Sequence, residues 1–292
     1  SAFSLYAIDG NFAPDSGQTS TLYRIDPEDG SVLDVVGDTG LNLTAIVYWP
    51  PAGRFLATTA LQSTSPSFLI EIDPFTAEAN PLQELTEAPN PVFGIEGPYQ
   101  FTSLEIDPGG RPGRLLAFNT NDERGVLNMI VEDAALFINP FLSAAPQGSF
   151  ALAASDADDF RLQWVFFGCE SPPSIESYYR SLIATSSPPI IPIIIDLPDS
   201  SCFIDGLRIA QENYLGIQID RANTIERQLT HLSIQEGQAT LRQLGPLPNN
   251  TASIARGPIL PSNVPTLSKW ALILSVLLIV LLGGWSLRNR IV

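Results

Sequence analysis

Short apolar stretches alternate with turn residues along most of the chain, and 25 Pro and 21 Gly interrupt them. One kind of segment, such as LTAIVYWPPAGRFLATT, places β-branched and aromatic residues on both sides of a Pro-Gly turn and predicts a pair of strands. Segments of this kind lie at 43–59, 101–119, 150–168 and 203–219. Short strands with many turns predict an all-β chain rather than a helical one.

A second kind of segment is similar to LYRIDPEDGSVLDVVG and also predicts two strands around a turn. It recurs at residues 22–37, 68–85, 126–142, 181–197 and 229–245. Its equivalent positions are Leu22, Leu69, Leu127, Leu182 and Leu232, with spacings of 47, 58, 55 and 50 residues. Four short strands in each unit of about 50 residues are typical of propeller blades. The pattern therefore predicts a five-bladed β-propeller over residues 1–256, with a two-sheet sandwich as the alternative.

The two ends of this region complement each other. FSLYAID at 3–9 has the character of a second strand and lacks a first strand before it, while Thr251–Arg256 is a strand-like segment left over at the other end. Pairing of the two segments in one sheet would remove the free edges of an open structure. We therefore expect the ring to be closed by the N-terminal and C-terminal strands together.

Three of the predicted turns begin with Ile-Asp-Pro, at Asp26, Asp73 and Asp107. Proline fixes φ after the aspartate, and the aspartate side chain can accept hydrogen bonds from nearby amides. Together with the Leu-Tyr before the first of these turns, the motif resembles the degenerate extracellular propellers that carry LY-x-ID-x-x-x-G in each blade. That resemblance implies the same fold.

Charge is distributed unevenly along the chain. The sequence has 31 acidic and 15 basic residues, a net charge of −16. Twelve of the basic residues and all the acidic ones precede residue 264, so that part carries 12 − 31 = −19. Nucleic-acid binding needs a basic face that displaces counterions, so the acidic balance argues against nucleic acid, and none is predicted as a partner.

An uncharged run of 18 residues, Trp270–Leu287, follows the acidic region. At about 1.5 Å per residue it would reach about 27 Å as a helix, close to the ~30 Å of a bilayer core. Trp270 and Trp285 lie near its ends as interfacial aromatics do, and Arg288 and Arg290 follow it as the positive-inside rule requires. Residues 265–292 are therefore predicted to be a single-pass membrane anchor with a short cytoplasmic tail, joined to the propeller by a linker at 257–264. The alternative is a core helix or a hairpin of core strands.

The residues around the start of this run resemble a sorting signal. Val264, Pro265, Thr266, Leu267 and Trp270, followed by the apolar run and two arginines, are similar to the IPTL-CTERM protein-sorting domain. The resemblance implies an exported protein of a Gram-negative bacterium. We expect a cleaved signal peptide, a propeller in the periplasm and an anchor in the inner membrane, whose lipid the helix contacts. Gly283 and Gly284 would let another helix approach closely.

The chain has two cysteines, Cys169 and Cys202. In an oxidising compartment an even pair predicts a disulfide, with two free thiols as the alternative. The segment between them, 170–201, is rich in proline and is predicted to be irregular and to form a contact surface.

Few residues point to catalysis. One His and two Cys exclude a c-type haem run, a four-ligand His/Cys zinc site and an iron–sulfur cluster within this chain. His231 has the period-2 neighbours of a strand residue, and no G-x-S-x-G elbow accompanies it. The acidic run at 156–159 and the polar run at 119–123 are read as solvated turns, with calcium binding as the alternative. Asn42-Leu43-Thr44 matches the N-glycosylation sequon, but this match alone does not predict modification in a bacterial protein. No catalytic, metal or cofactor residue is therefore predicted.

Two classes of function fit this sequence. The first is a non-catalytic accessory subunit that docks on a larger integral membrane or periplasmic complex, respiratory or photosynthetic. The missing catalytic constellation and the membrane run favour it. The second is an exported hydrolase or lactonase with a metal held by carboxylates in the channel of the propeller.

Overall fold

Every element in the described part of the chain is a β-strand. The computed structural model describes residues 3–11, 17–60, 67–85, 101–106, 114–119, 126–131, 137–138, 149–154, 161–168, 175–181, 190–193, 201–210, 213–220, 223–235 and 238–258. In these ranges the strands are β1 Ser4–Asp9, β2 Thr21–Ile25, β3 Val32–Asp38, β4 Leu43–Trp49, β5 Arg54–Thr59, β6 Phe68–Ile72, β7 Ala79–Glu84, β8 Phe101–Ile106, β9 Arg114–Asn119, β10 Val126–Val131, β11 Phe137–Ile138, β12 Ser149–Ala154, β13 Arg161–Gly168, β14 Ile175–Ser181, β15 Ile190–Ile193, β16 Ser201–Ala210, β17 Asn213–Asp220, β18 Asn223–Gln235, β19 Gln238–Leu247 and β20 Thr251–Gly257.

The described strands form antiparallel sheets of four strands each. Four sheets are simple meanders, β4 to β7, β8 to β11, β12 to β15 and β16 to β19. The fifth has the order β20-β1-β2-β3 and is called the closing sheet here. The predicted strand pairs at 43–59, 101–119, 150–168 and 203–219 are confirmed as the first two strands of the four meanders.

The closing sheet joins the two ends of the folded region. Strand β20 pairs antiparallel with β1, with Ser4 opposite Gly257 and Tyr6 opposite Ala255. The predicted pairing of residues 3–9 with residues 251–256 is therefore confirmed, and an edge that would otherwise be open is covered.

Neighbouring sheets pack face to face through apolar cores. Alternate residues of β1 point to opposite sides, so Tyr6 and Ile8 pack toward β4 and β5, while Leu5 and Ala7 pack toward β16 and β17. Another core lies between the β4 to β7 sheet and the β8 to β11 sheet, where Trp49 and Phe101 are buried. The first strand of each sheet also contacts the first strand of the next. Four-stranded sheets stacked in this way form a β-propeller.

Each first strand carries a bulge near its start. Relative to the second strand of its sheet, the register shifts between Leu43 and Ala45, between Phe101 and Ser103, between Ser149 and Ala151, and between Phe203 and Asp205, while in the closing sheet it shifts at Ala252 before Ser253. A bulge inserts one unpaired residue and turns the next side chain to a new direction. The residues just after the bulge, Ala45, Ser103, Ala151, Asp205 and Ser253, therefore hold equivalent positions.

The Ile-Asp-Pro turns are built as their sequence predicts. Oδ1 of Asp26 accepts a hydrogen bond from the amide of Glu28 at 2.8 Å, and Oδ1 of Asp73 accepts from the amide of Phe75 at 2.8 Å. These bonds fix the β2–β3 and β6–β7 connections. Asp107 lies outside the described residues.

One prediction is wrong. The segment 170–201 was predicted to be irregular, but its described residues form β14 and β15, and the strand pair expected at 181–197 begins earlier, at Ile175. The prolines had indicated a loop, but Pro192 lies in β15, the outermost strand of its sheet. An edge strand tolerates proline, whose missing amide would face away from the ladder. Leu182 lies outside the described residues.

Among the described residues, no helix is long and apolar enough to cross a membrane. The predicted anchor at 265–292 and most of the linker lie outside them, with the sorting residues Val264, Pro265, Thr266, Leu267 and Trp270 and the anchor residues Gly283, Gly284, Trp285, Arg288 and Arg290. The anchor and the sorting signal stay predictions.

Candidate functional site

A single carboxyl group lies among the five positions that follow the bulges. Asp205, on β16, is only 3% exposed. Its neighbours Ile204 and Leu207 belong to the core between β16 to β19 and the closing sheet. The register shift between Phe203 and Asp205 is the local reason that a charged side chain can leave this apolar face.

Other first strands supply hydrogen-bond donors to this carboxyl group. Oδ2 of Asp205 accepts from the Ser253 hydroxyl at 2.7 Å and from the Ile254 amide at 2.9 Å, both on β20. Oδ1 accepts from the Ser103 hydroxyl on β8 at 3.3 Å. One side chain therefore connects the first strands of three sheets.

Ser253 extends the connection to a fourth strand. Its hydroxyl oxygen accepts a hydrogen bond from the amide of Ile46 on β4 at 3.1 Å while its proton goes to Asp205. We call the set Ser103, Asp205 and Ser253 the central cluster. Because its bonds join β4, β8, β16 and β20, the cluster holds the first strands together where they meet.

Burial controls the protonation of Asp205. Removal from water raises the pKa of its carboxyl group from 3.8 to about 7, although hydrogen bonds from Ser253, Ile254, Gly206 and Ser103 act in the opposite direction. All four donors are neutral hydroxyl or amide groups, which stabilise a carboxylate less than a cation would. The group therefore changes its protonation near neutral pH.

A carboxyl group that titrates near neutrality could in principle act as a general acid or base. In this structure its oxygens are already used by strand-to-strand hydrogen bonds, and its surface is closed to solvent. Within the described ranges there is no group of three or more His, Cys, Asp or Glu side chains that could hold a metal ion. This geometry indicates a structural role for Asp205, which holds strands of different sheets together.

The described residues include only some of the side chains singled out in the sequence. Cys202 is fully buried on β16, but Cys169 lies outside the described residues, so the disulfide stays a prediction. His231 lies on β18 as its pattern indicated, where burial and then the charge of Arg242 lower its pKa. The acidic run at 156–159 lies outside the described residues.

The sequon at Asn42 is engaged within the fold. Its side-chain Nδ2 donates to the carbonyl oxygen of Asn11 at 2.8 Å, and its Oδ1 accepts from the Asn11 amide at 3.0 Å. Thr44, the third residue of the sequon, is fully buried. The hydrogen bonds of the Asn42 side chain and the burial of Thr44 both oppose glycosylation of Asn42.

Sequence reasoning missed the central cluster. Asp205 was one of 31 acidic residues, and Ser103 and Ser253 carried no motif. A signal was present in the alignment of the repeats, where FTS at 101–103, TAS at 251–253 and LTA at 43–45 place Ser or Ala at the position that FID at 203–205 fills with Asp. Where one repeat has a carboxylate and the others have Ser or Ala, the buried carboxylate needs hydrogen-bond donors from other strands.

Comparison with known proteins finds similarity only to solved structures. No family model and no curated protein matches the chain. TolB from Acinetobacter baumannii is 11% identical with a TM-score of 0.47, over 84% of this chain and 53% of that one. A nidogen/laminin complex is 9% identical with a TM-score of 0.48, over 88% of this chain and 98% of that one. A GH43 β-1,3-galactosidase is 12% identical with a TM-score of 0.49, over 81% of this chain and 55% of that one.

The chain thus spans about half the length of TolB and of the galactosidase.

Proposed function

We propose that this chain is a non-catalytic, five-bladed β-propeller, anchored in the bacterial inner membrane and acting in the periplasm as an accessory subunit of a larger membrane complex. The observation that carries the proposal is the central cluster. In a propeller enzyme the groups near the axis must be open to substrate. Here the only carboxyl group among the positions that follow the bulges is buried and committed to holding strands together.

The number of blades is inferred from the order of contacts. The first strands touch in the sequence β20 to β4, β4 to β8, β8 to β12, β12 to β16 and β16 back to β20. Such a cycle returns to its start after five sheets. The two sheets of a sandwich would not produce this cycle of contacts between the first strands of five sheets.

The docking role is supported by an exposed apolar surface on the closing sheet and its neighbour. Val32, Leu33 and Val35 on β3 and Phe75 in the β6–β7 turn are exposed. Strand β3 approaches this turn at Gly37, where an added Cβ would lie 3.1 Å from the carbonyl oxygen of Thr76. We call these four residues the apolar edge. Exposed large apolar side chains on an edge strand and on the turn that it approaches are typical of interaction sites.

The charge around the apolar edge indicates what it would bind. Asp34 lies between the exposed β3 residues, and the region before residue 264 carries −19. Two register shifts also interrupt the pairing of β3 with β2, so β3 is poorly shaped to receive an added strand. The partner we propose is therefore a folded protein surface with an apolar centre and basic residues around it.

Co-purification tests the proposal. The tagged full-length chain is extracted from its native membrane in mild detergent and should recover one larger complex in a fixed ratio. The double variant Leu33→Ser/Val35→Ser should lose most of that complex. Ile225→Ser, which alters an exposed apolar residue on β18, is the matched control and should recover it fully.

Two results would contradict this function. A stoichiometric divalent metal in the purified chain, together with hydrolysis of an ester or lactone, would favour the exported hydrolase. Equal recovery of the complex by the double variant and by a fragment with residues 258–292 alone would show that the C-terminal segment, and not the propeller, recognises the partner.

A further inference from the structure

A row of three polar side chains crosses the closing sheet on the face that packs toward β4 to β7. Tyr6 on β1 is directly opposite Arg24 on β2, and Arg24 is directly opposite Asp34 on β3. Residues opposite each other on adjacent strands bring their side chains to about 5 Å. Exposure rises along the row, from a fully buried Tyr6 to side chains that are 27% exposed in Arg24 and 55% exposed in Asp34.

Two hydrogen-bond donors in this row lack an acceptor among the described residues. They are the hydroxyl of Tyr6 and Nε of Arg24, and both atoms are buried. Nη2 of Arg24 lies 3.9 Å from Oδ2 of Asp34, which is too long for a hydrogen bond. Burial raises the pKa of the Tyr6 phenol, so its proton stays in place as a donor.

Packing fixes the Tyr6 side chain where it is. The ring lies 4.9 Å from that of Phe55, and a Cβ at Gly257 would overlap ring atoms Cδ2 and Cε2 of Tyr6. The hydroxyl therefore cannot swing out to solvent. A buried donor without an acceptor is unfavourable, and none of the described residues accepts a hydrogen bond from either atom.

The charges of the row select the kind of acceptor. Arg24 and Asp34 lie side by side, so their charges largely cancel. An anion bound here would be repelled by the nearby Asp34 carboxylate. A water molecule is neutral, is small enough for a buried site and can accept two hydrogen bonds. We propose that one ordered water binds between the closing sheet and the β4 to β7 sheet, accepting hydrogen bonds from the Tyr6 hydroxyl and from Nε of Arg24.

Removing each donor in the full-length chain tests this site. Tyr6→Phe should raise the unfolding equilibrium constant about fivefold, the effect of losing one hydrogen bond. Tyr23→Phe is the matched control, because its hydroxyl donates to Oδ2 of Asp9 at 3.1 Å. If the Tyr6 hydroxyl had no acceptor, its removal would relieve a penalty, and an unchanged or lower unfolding constant would overturn the proposal.

A double-mutant cycle supplies a second readout. Arg24→Met keeps the aliphatic length and removes Nε, so it takes away the other donor to the same water. Tyr6→Phe and Arg24→Met should then be non-additive, since each leaves the water with one bond fewer. Additive effects would contradict a shared water. Stability that rises when gluconate is replaced by chloride would identify an anion instead and would also overturn the proposal.

Discussion

Replacing Asp205 by Asn tests whether burial, rather than solvent, sets the protonation of the central cluster. Asparagine has nearly the same shape. Its oxygen can accept from Ser253 and Ile254 where Oδ2 of Asp205 does, and its amide can donate to the hydroxyl oxygen of Ser103. The variant should therefore fold.

The magnitude follows from the pKa of Asp205. Its folded pKa is about 7, above its ordinary value of 3.8, so the folded chain binds the proton more tightly than the unfolded chain. The resulting stabilisation is fully present below pH 3.8 and is lost as the pH rises through 7. Because each unit of pKa difference corresponds to about 1.36 kcal/mol, the free energy of unfolding should fall by about 4 kcal/mol between pH 4 and pH 7.5.

Urea unfolding of the full-length chain in mild detergent measures this loss. Wild type and Asp205→Asn are compared at several pH values from 4 to 8, because other carboxyl groups titrate in both and cancel in the difference. The wild type should lose stability relative to the variant as the pH rises. Ser103→Ala removes one donor to the carboxylate, so it should move the midpoint of this loss to higher pH.

A difference between wild type and Asp205→Asn that stays constant from pH 4 to pH 8 would refute the reasoning. It would show that the carboxyl group has the same pKa in the folded and unfolded chain, and hence that it contacts solvent or a cation. A difference that grows in the opposite direction, with wild type gaining stability as the pH rises, would also refute it.

Three further predictions concern the closing sheet, a turn and the cysteine pair. Gly257→Ala should destabilise the fold by about 1–3 kcal/mol in urea unfolding, since its Cβ would overlap the Tyr6 ring; wild-type stability would show that the closing sheet is loose. Asp73→Ala should cost about 1 kcal/mol by the same assay, because it removes the acceptor for two turn amides and the ion-pair partner of Arg54, and no loss would mean that the turn holds without these contacts. Thiol labelling of unreduced, denatured protein should find neither Cys169 nor Cys202 reactive, whereas two labels would disprove the disulfide.

Much of the fold could be predicted because its determinants are local. A turn such as Asp26–Gly30 needs only neighbouring residues, and several strand pairs, such as β4 with β5, are joined by short connections. Closure was also predictable, since FSLYAID lacked a first strand before it and Thr251–Arg256 was a strand-like segment left over. The error at 170–201 has the same origin, because a proline such as Pro192 has opposite meanings in a loop and in an edge strand, and the sequence does not state which strand is outermost.

The sequence by itself determined the repeated strand pairs, the turns between them and the pairing of the two ends. Tertiary structure alone decided the central cluster and the Tyr6–Arg24–Asp34 row. Asp205 contacts Ser253 and Ser103 at separations of 48 and 102 residues, and these contacts depend on the packing of the first strands of different sheets. A pattern of period two records which residues share a face, but it holds no information about which distant face lies opposite. That is why the sequence did not reveal that Asp205, which lies in no local motif, connects strands of three sheets.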